Sequence, residues 1–172
     1  MEYKNFELDF VERTLSNIEW IEKQNSINKE NPTAKTFYEF TNLINQCLGL
    51  ILLSKQFSKD NIKSKLPQEL SYYGINEGIV TLIQNDKPKV LNHVLRHLRN
   101  GIAHGHIQHC IDGSHDITDI KIWDADPNIE NPTEKDAHTI FEFRVEELKT
   151  FAIKVAEEYC RLKREEIEPN TL

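Results

Sequence analysis

The chain of 172 residues has only three cysteines, Cys47, Cys110 and Cys160, and they lie far apart. An odd, sparse set makes a poor disulfide framework, which argues for reduced thiols and against a cystine-stapled secreted fold. Long apolar runs are missing too. The longest, Leu50 to Leu53, is far too short to cross a bilayer. The polar start Met1-Glu2-Tyr3-Lys4-Asn5 has no secretory apolar region behind it. The expectation is a soluble, cytoplasmic chain with no membrane partner. Basic residues are in deficit: 21 Lys and Arg stand against 28 Asp and Glu, a net charge of −7. That balance argues against a surface that coats nucleic acid generically. There is no Gly-rich phosphate loop, no Ser-His-Asp order, no pair of carboxylates spaced for catalysis and no internal repeat.

What is present reads as one helix-leaning domain over residues 1–172, with 38% hydrophobic and 28% charged residues. Leu8, Val11, Leu15, Ile18 and Ile21 recur at three- and four-residue steps and predict a helix over about residues 6–24. Asn31-Pro32 breaks it. Phe37, Phe40, Ile44, Cys47, Leu48 and Ile51 mark a second, well-buried helix, with Cys47 as a small core residue. Residues 54–75, with Pro67 and Gly74, read as a loop containing one helical turn, and Asn76 to Gln84 as a short helix. Asn85-Asp86 beside Pro88 is a helix-start signal for the stripe Leu91, Val94, Leu95, Leu98 and Ile102.

Beyond Gly105 the apolar period changes to two, at Ile120 and Ile122 and again at Phe141 and Phe143, with a turn signal at Asp112-Gly113. This predicts an antiparallel sheet of two or three strands across about residues 106–144, with 124–137 as the loop inside it. Leu148, Ala152, Val155, Tyr159 and Leu162 define a last helix, followed by a solvated tail from Glu165. The fold class is therefore mainly α: a helical bundle with a small antiparallel β insertion before the C-terminal helix.

The segment Arg99-Asn100-Gly101-Ile102-Ala103-His104-Gly105 ends the central helix. It joins an always-charged guanidinium, an amide and a titratable imidazole, just before a glycine suited to the left-handed residue after a last turn. Between Lys87 and His109 there is no Asp or Glu, but there are Lys87, Lys89, Arg96, Arg99 and five histidines. An acidic chain with one locally basic segment suggests a focused anion site. Arg99, Asn100 and His104 are the candidate catalytic residues, and Lys89, Arg96, His97 and His106 the candidate substrate-binding ones. On an ideal helix Arg99 and His104 stand about 140° apart. Convergence then needs distortion at Gly101, a loosened last turn at His104, or completion by a second subunit, the last two being favoured.

This pattern resembles the R-(polar)-x-x-x-H signature of the HEPN superfamily of RNA-targeting and antiviral-defence proteins. Leu95-Arg96-His97-Leu98 leads into it, Phe10-Val11-Glu12-Arg13-Thr14-Leu15 lies on the first helix, and a β segment is followed by a closing helix, as in small single-domain bacterial members. The resemblance implies a homodimer whose facing motif helices form one composite site. It also implies a metal-independent endoribonuclease, acting in toxin–antitoxin pairs or phage defence, in which the RNA 2′-hydroxyl attacks to leave a 2′,3′-cyclic phosphate. Arg99 would hold the phosphate, His104 would transfer protons, and Asn100 would orient the phosphate or the imidazole. RNA is the implied substrate and an antitoxin protein a possible partner, with no cofactor and no metal. The alternative is a catalytically silent HEPN module that binds RNA, a nucleotide or a protein.

Blander readings stand beside these. Arg99 could pair with a carboxylate of the last helix, and His104 could be a helix-terminal histidine favoured by the dipole. His93 and His97 could clamp a metal, although a solvated polar face is the simpler reading. A second group, His104, His106, His109, Cys110 and His115, matches no familiar zinc spacing; His106 and His109 more simply line the mouth of the anion site. Trp20, Trp123, Tyr72 and Tyr73 read as core or loop packing rather than base-stacking residues. Asp124 and Asp126, and the 157–168 charge run, read as a solvated loop and helix face.

Overall fold

Three- and four-residue apolar spacing becomes helix along most of the chain, in a computed structural model that describes residues 4–28, 31, 39–56, 62–83, 89–111 and 117–168. Helix α1 spans Phe6–Asn28. The Asn5 side chain accepts the Leu8 N–H at 3.2 Å and so satisfies one of its orphan donors. Val11, Thr14 and Ile18 of α1 are buried. Helix α2 spans Glu39–Gln56 and buries Leu43, Cys47 and Leu50. The 54–75 stretch contributes a one-turn helix α3, Ile62–Lys65, and a 3₁₀ turn at Leu70–Tyr73.

The short helix expected over residues 76–84 is not formed. A 3₁₀ turn at Glu77–Ile79 leads into strand β1, Val80–Ile83, which pairs with a later strand through Val80 and Phe141. The four residues Val80-Thr81-Leu82-Ile83 are too few for a period that separates strand from helix, so the available sheet edge decides.

Helix α4 spans Leu91–Ala103, and its expected stripe of Leu91, Val94, Leu95, Leu98 and Ile102 is buried. The expected start is displaced. Asn85, Asp86 and Pro88 lie outside the described residues, while Lys89 and Val90 are not helical. The end is capped from elsewhere in the chain: the Gln68 carbonyl accepts the Leu91 N–H at 2.9 Å and its side chain accepts the Asn92 N–H at 3.2 Å.

Strands β2 (Ile107–Ile111), β3 (Ile117–Ala125) and β4 (Ala137–Arg144) precede helix α5, Val145–Ile167. The sheet has four antiparallel strands in the order β1-β4-β3-β2, so it is not confined to the segment between α4 and α5. The expected turn at Asp112-Gly113 lies outside the described residues. The expected 124–137 loop is shorter, because Asp124 and Ala125 still belong to β3 and Ala137 already belongs to β4. The fold is mainly α with this small sheet. Helix α1 packs on α2 and α5, α2 also on α5 and α4, and α4 on β3.

Because α4 lies between α2 and β3, it buries a second arc beside its apolar stripe, carrying His97 and Gly101. Gly101 is there for contact rather than flexibility, since the helix runs through it without a break. A Cβ at this position would stand 2.5 Å from the Trp123 carbonyl oxygen and 2.7 Å from Ile122 Cγ2. Gly101→Ala should therefore destabilise the fold by about 1–3 kcal/mol, the range for overpacking, despite alanine's better helix propensity of roughly 1 kcal/mol. Chemical denaturation checks this, and an unchanged or raised midpoint would contradict it.

Two surface expectations are also corrected. In the 157–168 run Glu158 and Lys163 are buried, held by Arg161 at 3.0 Å and by Glu7 at 3.1 Å. Trp20 and Tyr72 are about half exposed, at 52% and 51%, whereas Tyr73 is in the core. Helical period alone did not reveal that Trp20 falls on the outer side of α1.

Candidate active site

The C-terminal end of α4 is closed by backbone geometry. Gly105 adopts φ +71°, the left-handed conformation expected of it. The His106 N–H donates to the Gly101 carbonyl at 2.8 Å and the Gly105 N–H to the Ile102 carbonyl at 3.1 Å. This double bond pattern satisfies the last carbonyls of the helix. His104 is the cap residue, outside regular helix at φ −93°, ψ 1°, and its side chain is exposed. It stacks on His106 with ring centroids 5.7 Å apart, and His106 stacks on Trp123 at 5.5 Å with the planes 7° apart. The three rings form a ledge anchored by the Trp123 backbone N–H, which donates to the His106 carbonyl at 3.2 Å.

On the neighbouring turn, polar groups form one connected chain centred on Asp124 of β3. The Arg99 guanidinium donates to the Asn100 side-chain oxygen. The Asn100 amide nitrogen donates to Asp124 Oδ2 at 2.9 Å. His97 Nδ1 meets the same oxygen at 2.7 Å, and Arg96 Nη2 lies 3.0 Å from His97 Nε2. Arginine only donates, so His97 Nε2 accepts and Nδ1 carries the proton given to Asp124. Burial alone would raise the Asp124 carboxyl. The hydrogen bonds from His97 and Asn100, helped by the nearby His138 and His97 imidazoles when charged, outweigh it and hold the pKa below the ordinary carboxylate value.

Arg99 and Asn100 are thus brought together, with Asn100 tied to Arg99 and Asp124 rather than to an imidazole. No hydrogen bond joins Arg99 to His104 within the chain; the one bonds Asn100 and the other stacks on His106. Nor does Arg99 take up a carboxylate of α5. Arg96 is exposed beside this network. His97, expected on a solvated face, is buried, because its polar edge is matched by Asp124. Lys89 precedes the far end of α4, about 20 Å from the His104 end for a helix of this length.

Two residues were missed by sequence reasoning. Asp124 is 2% exposed rather than solvated. The signal for it was present: Ile120, Ile122 and Asp124 continue one period-two face of β3. His138 of β4 places Nε2 3.9 Å from Asp124 Oδ2. His97, Asp124 and His138 together offer three ligand atoms within 4.8 Å of one another, a metal-compatible group that differs from both histidine groups considered above. Of those groups, His115 lies outside the described residues and Cys110 is exposed on the edge strand β2. Cys47 and Cys160 are buried, and burial pushes both thiols up to about 12, which leaves them inert.

Residues 1–166 match the HEPN pEK499 p136 family. The chain belongs to that family, and hence to the HEPN superfamily its motif resembles. No curated protein and no solved structure matches it. Among the described residues no helix is long and apolar enough to cross a membrane.

Proposed function

We propose that this HEPN protein is a metal-independent endoribonuclease, acting as a toxin or antiviral-defence effector through Arg99, Asn100 and His104. The observation that carries this reading is the anchoring of Arg99, through Asn100, to the buried Asp124, one turn from an exposed His104 cap. An arginine held by its neighbours loses less freedom on meeting a phosphate, and preorganised charge is the main source of transition-state stabilisation. In the reaction the RNA 2′-oxygen attacks phosphorus, the bond to the 5′-oxygen breaks, and the leaving oxygen takes up a proton. Histidine suits both proton transfers near neutral pH. The His104–His106–Trp123 ledge supplies flat aromatic surface beside that chemistry, where an unpaired base can stack.

Two proton transfers and one His104 per chain support a two-fold dimer with the motifs facing each other, so that one imidazole acts as base and the other as acid. Arg99 uses a donor on Asn100, which favours the silent alternative to a small degree. A guanidinium carries five donors, however, so its fork toward a phosphate stays available. RNA is then the substrate, and an antitoxin protein a fitting partner for such an activity.

The test is RNA cleavage by purified protein in EDTA, with end-group analysis. Cyclic-phosphate and 5′-hydroxyl ends are expected, from a species whose light-scattering mass is two chains. Intact RNA with binding preserved would establish the silent module, and full activity from a single chain would overturn the composite site.

A further inference from the structure

We propose that His97, Asp124 and His138 form a binding site for one divalent transition-metal ion of the zinc class, which shares Asp124 with the anchor of the cleavage residues but takes no part in the cleavage step. Three ligand atoms converge from three elements: His97 Nδ1 from α4, Asp124 Oδ2 from β3 and His138 Nε2 from β4. Two imidazoles and a carboxylate are the donor set that borderline divalent ions prefer, with a remaining position open to water.

The distances suit an ion better than they suit direct bonding throughout. His138 Nε2 stands 3.9 Å from Asp124 Oδ2, too far for a hydrogen bond. Metal–ligand bonds of about 2.0–2.1 Å in a tetrahedral site put ligand atoms about 3.4 Å apart. The His97–Asp124 separation of 2.7 Å and the His138–Asp124 separation of 3.9 Å bracket that value, and all three ligand atoms lie within 4.8 Å of one another. The two imidazole planes are inclined at 70° rather than stacked, with centroids 5.4 Å apart. A supporting group is already in place, since Asn100 Nδ2 donates to Asp124 Oδ2 at 2.9 Å and fixes the carboxylate. Access is through His138, which is 30% exposed while the other two side chains are buried.

Loading has a defined consequence for one neighbour. Coordination at His97 Nδ1 moves the ring proton to Nε2, where it faces the Arg96 donor now 3.0 Å away. Two donors cannot share that contact, and the exposed Arg96 side chain leaves it for solvent. The metal therefore acts on Arg96 and on fold stability, and the bond between Asn100 and Asp124 can persist.

Binding is read without RNA, so its failure is separate from failure of the ribonuclease reading. The EDTA-stripped full chain is titrated with Zn²⁺ against a chromophoric chelator, and with Co²⁺ by visible spectroscopy. One ion per chain is expected, with a rise in thermal midpoint on loading. His138→Ala should weaken Zn²⁺ binding by at least about 100-fold, beyond the 10–100-fold typical of losing a supporting group, with its midpoint in EDTA near that of wild type. Cys110→Ser should bind as wild type does. Co²⁺ should broaden the His97 and His138 ring protons of the wild-type chain. Absence of one-to-one binding, binding that survives His138→Ala but not Cys110→Ser, or unbroadened His138 protons would each overturn the site. Should the alanine variant not fold, His138→Gln and the wild-type broadening decide the question.

Discussion

Replacing His104 with alanine lowers RNA cleavage by about 10²-fold or more while RNA affinity stays close to wild type. The imidazole is exposed at the end of α4 and makes no hydrogen bond among the described residues, so its removal takes away a proton-transfer group and little else. Arg99→Ala behaves differently. It removes the fork that meets the phosphate in both ground and transition states, so affinity and rate fall together. Arg99→Lys rescues poorly, because a point charge reproduces neither the bidentate contact nor the bond to Asn100. Single-turnover cleavage and filter binding on the same RNA separate these outcomes. A His104→Ala variant with wild-type rates would remove the histidine from the mechanism. Mixing His104→Ala with Arg99→Ala chains adds a test of assembly. One centre that needs both arginines and both histidines stays inactive in the mixture, whereas half of wild-type activity per heterodimer would show two independent sites, each built from both chains.

The second large effect is expected at Asp124, a residue that need not touch RNA at all. Asp124→Ala leaves the His97 Nδ1–H and the Asn100 amide without their acceptor in a buried setting. At roughly 1–3 kcal/mol for each of the two orphaned donors, a loss of about 2–6 kcal/mol in folding stability follows. Asn100 then has no anchor, so Arg99 loses its pre-set position and kcat falls in whatever fraction remains folded. Asp124→Asn keeps the volume and one acceptor oxygen, so it should fall between the two.

The carboxyl also confers a pH signature. Its folded pKa lies below the unfolded value, so the folded state favours the ionised form. The stabilisation is complete above the ordinary carboxylate value of about 4 and is lost as pH falls through the lower folded value. The stability gap between wild type and Asp124→Asn should therefore shrink as pH falls below about 4. Denaturant titrations at several pH values in EDTA measure it. A gap that did not shrink below about pH 4, or an Asp124→Ala midpoint equal to wild type, would contradict the role assigned to Asp124.

Several parts of this protein could be read from local sequence because they depend on neighbours in the chain. The stripe Leu91, Val94, Leu95, Leu98 and Ile102 is buried as its spacing requires, and Gly105 takes the left-handed conformation that ends the helix. The change to period two at Ile120 and Ile122 marks a real strand, and the motif from Arg99 to His104 points to the HEPN superfamily, which the family match over residues 1–166 supports. Each of these signals is complete within about a dozen residues, since helix and strand periods are properties of the backbone itself.

Tertiary structure decided where a polar group's partner, or a backbone's neighbour, comes from a distant segment. The N-terminal end of α4 is capped by Gln68, 24 positions before Asn92, so local capping signals could not locate it. Residues 80–83 became a strand because β4 offered an edge, through a pairing between Val80 and Phe141. Gly101 is required because the Trp123 carbonyl approaches from β3, and no helix propensity encodes that approach. His97 is buried, and Asn100 is anchored, because Asp124 lies 27 and 24 positions away in the chain but within 3 Å of each in space. A buried donor needs its acceptor, and only the folding of β3 onto α4 determines which residue supplies it.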